Sequence, residues 1–296
     1  MVKQNSTKAW LLASRPKTLT AASIPVMLGC ALAFMYGHFQ LIPAILCFLF
    51  AFLMQIDANF INDLYDYLKG SDREDRLGPE RACAQGWISP SGMKKGILVT
   101  TALAAVTGLF LLGYGGWEMI PVGIACIIFA FLYTTGPYPL AYHGWGDILV
   151  LVFFGFVPVG CTFYVMAHDW NTSVTMASLA CGFVIDTLLM VNNFRDREQD
   201  AISGKKTIVV RLGARAGLIL YFLLGLAACW SCFYFVTEGR LWAAILPQIY
   251  LLFHILTTMK MALINRGKEL NAILGETSRN MLLFGILLTA GLLIPA

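Results

Sequence analysis

Nine runs of mostly apolar residues, each about as long as a bilayer-spanning helix, divide the 296-residue chain. About 20 apolar residues are needed to cross a hydrocarbon core of about 30 Å. Of all residues, 58% are hydrophobic and only 13% are charged, which is more apolar surface than a soluble core of this size can bury. We therefore predict an all-α integral membrane protein with spans over residues 18–36, 41–61, 93–113, 116–133, 146–167, 172–194, 214–236, 241–262 and 277–295.

The distribution of basic residues predicts the orientation of these spans. With nine spans and a cytoplasmic N-terminus, every one of the 21 Lys and Arg except Arg240 falls in a cytoplasmic segment. Such an excess on the inner side is the usual positive-inside bias. We therefore predict a multi-pass membrane protein with a cytoplasmic N-terminus. The net charge of +4 reflects this topology and indicates no nucleic-acid partner.

The acidic residues are concentrated at two places. Of the 17 Asp and Glu, seven fall in one short stretch and four in a second. Each stretch contains the pattern N-x-x-x-D, as Asn62 and Asp66 and, 130 residues later, as Asn192 and Asp196. A motif repeated in this way indicates an internal repeat. We predict one domain over residues 1–296, with four helices over about 10–135 repeated over about 145–265 and a ninth helix at 277–295.

Both motifs carry the side chains that bind hard cations. Residues three or four apart share a helix face, so each motif presents carboxylate and amide oxygens, which suit Mg²⁺ beside substrate phosphates. The predicted metal ligands are Asn62, Asp63, Asp66, Asp72, Asn192, Asp196 and Asp200. Basic residues near each motif suit phosphate oxygens; they are Lys69, Arg73, Arg81, Arg195, Lys205 and Lys206. The motifs therefore predict a diphosphate site with magnesium at the cytoplasmic edge of the membrane.

The two motifs resemble those of a known family. NDLYDYLKGSDREDRLGPERA (62–82) and NNFRDREQDAISGKKTIVVRLG (192–213) are similar to the two Asp-rich motifs of the UbiA superfamily of membrane prenyltransferases. Within that superfamily, YTTGPYPLAYHGWGD (133–147) and RPKTLTAA (15–22) resemble the members that prenylate 1,4-dihydroxy-2-naphthoate for menaquinone synthesis. The resemblance covers nearly the whole chain.

The resemblance implies nine helices around a central cavity that opens laterally to lipid. It also implies two Mg²⁺ ions that bridge the diphosphate, a polyprenyl diphosphate donor and 1,4-dihydroxy-2-naphthoate as acceptor. Transfer with loss of CO₂ would give demethylmenaquinol, which oxidises to demethylmenaquinone. The resemblance also implies a location in the inner (cytoplasmic) membrane of a bacterium. The active site would lie on the cytoplasmic side, with Asp66, Asp196 and Tyr133 as catalytic residues.

Further candidates lie on the loop between the fourth and fifth spans and at the start of the first span. The loop carries Tyr138, Tyr142 and His143 but no Lys or Arg, and we assign it to acceptor binding or to capping the cavity. The alternative for His143 is a hydrogen bond within the loop. Arg15 and Lys17 either bind the acceptor carboxylate or the diphosphate, or anchor the first helix at the membrane interface.

Two alternatives stay open. The acceptor could be another ring, such as 4-hydroxybenzoate, although the loop at 133–147 argues against it. In a different class, the acidic helices could belong to a cation-coupled transporter. Transporters usually hold their ions near the bilayer midplane, whereas these acids lie at the predicted cytoplasmic edge beside basic residues. Neither the isoprenoid chain length nor the oligomeric state follows from the sequence.

Overall fold

The computed structural model describes residues 2–70 and 76–295. Within these ranges the chain forms helices joined by turns, and no strand is present. The nine long helices of the described residues are α1 (Thr7–Met35), α2 (Leu41–Leu68), α3 (Pro90–Gly115), α4 (Met119–Thr134), α5 (Gly146–Ala167), α6 (Thr172–Ile202), α7 (Ala214–Val236), α8 (Leu241–Ile264) and α9 (Leu270–Leu293). A 3₁₀ turn, Leu140–His143, lies between α4 and α5, and a short helix, Ile208–Leu212, precedes α7.

Seven helices of the described part of the chain, all except α4 and α9, are long and apolar enough to cross a membrane. α4 has only 16 residues, and α9 carries Glu276 and Arg279 in its first half. The all-α membrane architecture predicted from hydropathy is confirmed. Three points stay predictions: that all nine helices span the bilayer, that the N-terminus is cytoplasmic, and that α5–α8 repeat α1–α4 within one domain.

The helices that carry the two acidic motifs are longer than hydropathy predicts. α2 continues to Leu68 and α6 to Ile202, whereas the predicted spans end at residues 61 and 194. An apolar run ends at the first polar side chains, but the backbone hydrogen bonds of a helix continue regardless of side-chain polarity. Both motifs therefore lie on continuous helices, about two turns beyond the apolar part.

The first helix, α1, begins earlier than its predicted span and is broken once. The Ser6 hydroxyl caps it by accepting a hydrogen bond of 3.3 Å from an amide of the first turn. The helix is interrupted at Arg15, whose φ of 51° lies in the left-handed region that residues with a side chain seldom adopt. Asn59 of α2 supports the break, since its amide donates to the Ser14 carbonyl (3.0 Å) and to the Thr18 hydroxyl (2.9 Å).

The central helix of the bundle is α6. Of its most apolar stretch, 67% is buried inside the protein, against 22% for α2 and for α3, which expose more surface to lipid. α5 approaches α6 closely because small residues meet there: a Cβ added at Gly155 would lie 2.6 Å from the Ser178 carbonyl oxygen. In this region, Leu151–Gly160, α5 has the wider π-helical geometry, and the same stretch forms one wall of an interior cavity.

Candidate functional site

The ends of α2 and α6 meet at one large cavity, which we call the polar chamber. Its volume is about 520 Å³, and its walls are the last turns of both helices, segment 76–81 after α2, segment 141–147 before and at the start of α5, and segment 202–207 after α6. The predicted site residues that line it are Arg15, Asn62, Asp66, Lys69, Arg81, Tyr133, Asn192, Arg195, Asp196, Asp200 and Lys205. Both acidic motifs and most of their basic neighbours therefore face the same space.

A second cavity, the apolar chamber, adjoins the first. It measures about 390 Å³ and is enclosed by side chains of α1 to α6, most of them aliphatic or aromatic. We call the residues that line both chambers the waist; they are Arg15, Thr18, Asn62, Tyr133, Leu188, Leu189 and Asn192. One chamber is lined by charged and polar residues and the other mostly by apolar ones. They suit a ligand whose charged head lies in the first, whose hydrocarbon tail lies in the second, and whose two parts join at the waist.

Three aspartates of the polar chamber, Asp66, Asp196 and Asp200, are paired with basic side chains. Asp66 Oδ2 lies 3.4 Å from Arg81 Nη2, and Asp200 Oδ1 lies 3.6 Å from Lys205 Nζ. The other oxygen of Asp66, Oδ1, is buried and has no hydrogen-bond partner among the described residues. A buried carboxylate oxygen without a partner is costly, so a cation in the chamber would be attracted to it.

Asp196 is held by its own neighbour in the sequence. The buried Arg195 guanidinium donates two hydrogen bonds to the Asp196 carboxylate, of 2.6 and 2.7 Å. Nη1 of Arg195 also donates to Asn271 Oδ1 (2.9 Å), and the Asn271 amide donates to the Leu77 carbonyl (2.8 Å). Arg195 therefore connects α6 to α9, and through Asn271 to the segment after α2, as well as facing the chamber.

Asp63 does not face the chamber, which corrects its predicted place on one surface with Asn62 and Asp66. Its two carboxylate oxygens accept hydrogen bonds of 2.9 Å each from the backbone amides of Ala82 and Cys83. Consecutive residues on a helix point in different directions, so Asn62 and Asp63 do not share a face. Asp63 instead anchors the segment that carries Arg81, and thereby places the guanidinium beside Asp66.

Two lysines, one after each motif, face the ring of Tyr142. Lys69 Nζ lies 4.7 Å from the ring centroid, and Lys205 Nζ lies 5.0 Å from it. Burial lowers the pKa of Lys69; attraction by Asp66 opposes this, and repulsion by Lys205 adds to it. Burial acts on Lys205 in the same direction, but Asp66 and Asp200 outweigh it and its pKa is raised. The pKa values of the two lysines are thus shifted in opposite directions.

Some polar residues of this region lie outside the two acidic motifs and were not predicted as site residues. The Lys69 ammonium donates to the Thr134 carbonyl, and the Thr134 hydroxyl donates to Asn62 Oδ1. Asp147, at the start of α5, lines the polar chamber, and its Oδ1 is buried without a hydrogen-bond partner among the described residues. Both residues lie in the segment 133–147 that carries the family resemblance, but neither was singled out within it as a site residue.

Of the two tyrosines predicted on the loop between α4 and α5, one faces the polar chamber. Tyr142 lines the polar chamber, whereas Tyr138 is 52% exposed and stacks on His143 with ring centroids 3.6 Å apart. His143 Nδ1 donates to the Pro139 carbonyl (2.9 Å). The interaction observed for His143 is therefore the hydrogen bond within the loop.

The remaining predicted residues lie apart from the chambers or outside the described ranges. Lys17 and Lys206 are exposed and line neither chamber. Asp72 and Arg73 fall between residues 70 and 76, outside the described part of the chain. Within residues 2–70 and 76–295, no three His, Cys, Asp or Glu side chains come close enough to hold a metal by themselves. A metal there would need amide oxygens or ligand oxygens as well.

Comparison with known proteins places the chain in a family. The model of the UbiA prenyltransferase family matches residues 22–293. The protein belongs to the UbiA prenyltransferase family. It is 35% identical over 296 residues to the 1,4-dihydroxy-2-naphthoate octaprenyltransferase of Haemophilus influenzae, covering 97% of this chain and 96% of that one. It is 37% identical over 244 residues to the Escherichia coli protein of the same name, covering 80% and 79%.

A solved UbiA homolog supports the fold of this family member. The structure of the Archaeoglobus fulgidus protein bound to GPP and Mg²⁺ aligns with a TM-score of 0.67 and 18% identity, over 97% of this chain and 100% of that chain. At this identity the similarity shows the fold alone. The predicted membership in the UbiA superfamily is confirmed.

Proposed function

We propose that this protein transfers a polyprenyl group from polyprenyl diphosphate to 1,4-dihydroxy-2-naphthoate, with Mg²⁺ and with loss of CO₂, on the cytoplasmic side of a bacterial inner membrane. The observation that carries the proposal is the pair of chambers joined at the waist. Their volumes, about 520 and 390 Å³, are in the range of ligand sites. The diphosphate head would occupy the polar chamber and the isoprenoid tail the apolar one, so the bond that breaks would lie at the waist.

The oxygens of the polar chamber fit magnesium. Carboxylates and amides are available from both helices, namely Asn62, Asp66, Asn192, Asp196 and Asp200. The Oδ1 atom of Asp66, buried without a partner among the described residues, supports a cation at this place. These residues would hold Mg²⁺, for which we propose two ions, and the bound metal would supply positive charge that stabilises the diphosphate as it leaves. Asp72 stays a candidate ligand.

Basic side chains would bind the remaining phosphate oxygens. Lys69, Arg81, Arg195 and Lys205 line the polar chamber, and the last three each contact a carboxylate there. A diphosphate would compete with these carboxylates for the basic groups, which would release carboxylate oxygens for the metal. Lys17 and Lys206 are not part of this proposal, because both side chains are exposed outside the chambers.

The reaction would take place at the waist. The C–O bond of the donor breaks, and a new bond forms between the allylic carbon and the ring carbon that bears the carboxylate. CO₂ then leaves, and the electrons of its bond return to the ring, giving demethylmenaquinol. Tyr133 can stabilise the allylic cation with its ring face, Arg15 can bind the acceptor carboxylate, and the apolar chamber excludes water.

The acceptor is proposed from the relatives and from the chemistry of the waist. The two bacterial relatives described above are both named 1,4-dihydroxy-2-naphthoate octaprenyltransferase, and the chain matches each of them over most of its length. Arg15 supports an acceptor that carries a carboxylate, since it is the one guanidinium among the waist residues of the described chain. The break in α1, which holds Arg15 in an unfavourable backbone conformation, is typical of a functional position.

The experiment is prenyl transfer by the purified protein in detergent, with 1,4-dihydroxy-2-naphthoate and a polyprenyl diphosphate, with and without Mg²⁺. We expect Mg²⁺-dependent release of CO₂ and a prenylated naphthoquinone. Glu198→Gln is the matched control for substitutions of Asp66 and Asp196, because Glu198 lies on α6 near Asp196 but is exposed. Activity only with 4-hydroxybenzoate would overturn the acceptor. No transfer to any acceptor, together with cation flux in liposomes, would favour the transporter.

A further inference from the structure

One aromatic ring lies close to both lysines that follow the acidic motifs. Lys69 comes one residue after α2 and Lys205 three residues after α6, and their Nζ atoms lie 4.7 and 5.0 Å from the centroid of Tyr142. All three residues line the polar chamber. A ring face attracts a cation within about 6 Å of its centroid, so both ammonium groups are within that range.

The position of this ring is set by backbone contacts. The Lys206 amide donates to the Tyr142 carbonyl (2.8 Å), and Arg211 Nη2 donates to the next carbonyl, that of His143 (2.7 Å). Gly144 has a φ of 82°, and a Cβ added there would lie 2.7 Å from the Lys206 carbonyl oxygen, so the turn and the segment after α6 pack closely. The ring is therefore part of a fixed surface, whereas the lysine side chains are flexible.

The two ammonium groups repel each other, although each has a further contact, Lys69 with the Thr134 carbonyl and Lys205 with Asp200 Oδ1 (3.6 Å). Each long side chain has many rotamers, and ordering it costs free energy. A ring whose negative face attracts both groups reduces that cost before any anion arrives. The contacts of Tyr142 thus keep two positive charges, one from each half of the chain, on the wall of the polar chamber.

We propose that Tyr142 is a positioning residue for the diphosphate, whose ring holds the ammonium groups of Lys69 and Lys205 where they bind the phosphate oxygens together. The inference rests on the proposed function, because it requires a diphosphate in the polar chamber. It assigns to the loop between α4 and α5 a role at the donor head, in place of acceptor binding. The ring acts through the two lysines and need not touch the reacting atoms.

The test compares two substitutions of Tyr142 by calorimetric titration of the full-length protein in detergent with inorganic pyrophosphate and Mg²⁺. Tyr142→Phe keeps the ring and is expected to bind within about twofold of wild type. Tyr142→Leu removes it and is expected to bind about tenfold more weakly, as the loss of two cation–π contacts predicts. In transfer assays the Leu variant should raise KM for the donor and leave kcat at saturation nearly unchanged.

Tyr67→Leu is the matched control, because Tyr67 lies on α2 close to Lys69 but is 40% exposed and lines neither chamber. We expect pyrophosphate binding by this control to equal wild type. A second comparison uses Lys69→Met/Lys205→Met, in which adding Tyr142→Leu should have no further effect on binding, because the ring acts only through these lysines.

Several results would overturn the inference. If Tyr142→Leu binds pyrophosphate as wild type does, or if Tyr142→Phe loses as much affinity as Tyr142→Leu, the ring does not position the lysines. If Tyr142→Leu lowers kcat and thermal stability with pyrophosphate affinity unchanged, its role is packing. If the wild type does not bind pyrophosphate, both the proposed function and the inference are contradicted. If wild type and Tyr142→Leu bind equally well, only the inference is contradicted.

Discussion

The two N-x-x-x-D motifs are alike in sequence but differ in their surroundings. Asp66 on α2 is buried, with its side chain 9% exposed, and contacts Arg81 through one oxygen at 3.4 Å. Asp196 on α6 is 24% exposed, and Arg195 binds both of its oxygens at 2.6 and 2.7 Å. The half formed by α2 therefore keeps an oxygen available for a cation, whereas the half formed by α6 must first release a hydrogen-bonded arginine.

This difference teaches that a sequence repeat need not give two equivalent halves of a site. The partner of Asp66 comes from a segment that Asp63 anchors, while the partner of Asp196 is its neighbour on the same helix. We infer that the α2 half contributes more to holding the metal, and that the α6 half adjusts when the diphosphate enters.

The largest expected effect concerns the two aspartates themselves. Asp66→Asn removes the buried carboxylate with the available oxygen, and we expect kcat/KM for prenyl transfer to fall about 1,000-fold. Asp196→Asn should cost about 100-fold, because the released Arg195 guanidinium adds a positive charge near the diphosphate and compensates in part. Steady-state kinetics of both variants beside Glu198→Gln measures this. Equal losses, or a larger loss in Asp196→Asn, would break the comparison.

The next effect concerns stability, and tests the revised role of Asp63. Asp63→Ala leaves two buried backbone amides without their acceptors, and we expect the free energy of unfolding to fall by about 3 kcal/mol. Asp63→Asn keeps one acceptor oxygen and should lose about half as much. Thermal unfolding in detergent measures both changes. An unchanged stability together with loss of Mg²⁺-dependent pyrophosphate binding would return Asp63 to the metal site.

The smallest effect concerns the two lysines and pH. Because the pKa of Lys69 is lowered, its charge is lost at a lower pH than usual as the pH rises, while Lys205, with a raised pKa, stays charged longer. Pyrophosphate binding should therefore weaken by about threefold on the alkaline side when Lys69 loses its proton.

Arginine substitutions separate this effect from the titration of the ligand. Lys69→Arg stays charged and should remove the alkaline weakening, whereas Lys205→Arg should keep it. Titrations of both variants in the same buffers provide the measurement. If Lys205→Arg removed the alkaline weakening of pyrophosphate binding and Lys69→Arg kept it, the directions assigned to the two pKa shifts would be reversed.

The position of the helices could be predicted from hydropathy, because lipid selects long apolar segments. The continuation of α2 to Leu68 and α6 to Ile202 could not, since a polar motif ends the apolar run without ending the helix. It is this continuation that places both motifs on rigid elements at one cavity.

The types of residue that form the site could be predicted from the sequence, but the directions in which their side chains point could not. Helical spacing shows that Asn62 and Asp63 cannot share a face, but it does not show which of them lies beside Asp66, because residues three and four apart are both neighbours. The role of Asp63 depends on the amides of residues 82 and 83, which reach it only in the folded chain. Tyr138 and Tyr142 lie on one loop, and only the turn between them determines which one faces the chamber. The two chambers themselves follow from helix packing, which no local pattern records.

The most direct test of the central claim is the calorimetric titration of wild type, Asp66→Asn and Asp196→Asn with inorganic pyrophosphate, each with and without Mg²⁺. If both motif helices form one magnesium-diphosphate site with α2 as its more available half, wild type binds only with Mg²⁺, Asp196→Asn binds more weakly, and Asp66→Asn does not bind. Binding of equal strength with and without Mg²⁺, or binding by Asp66→Asn as strong as that by wild type, would contradict the account.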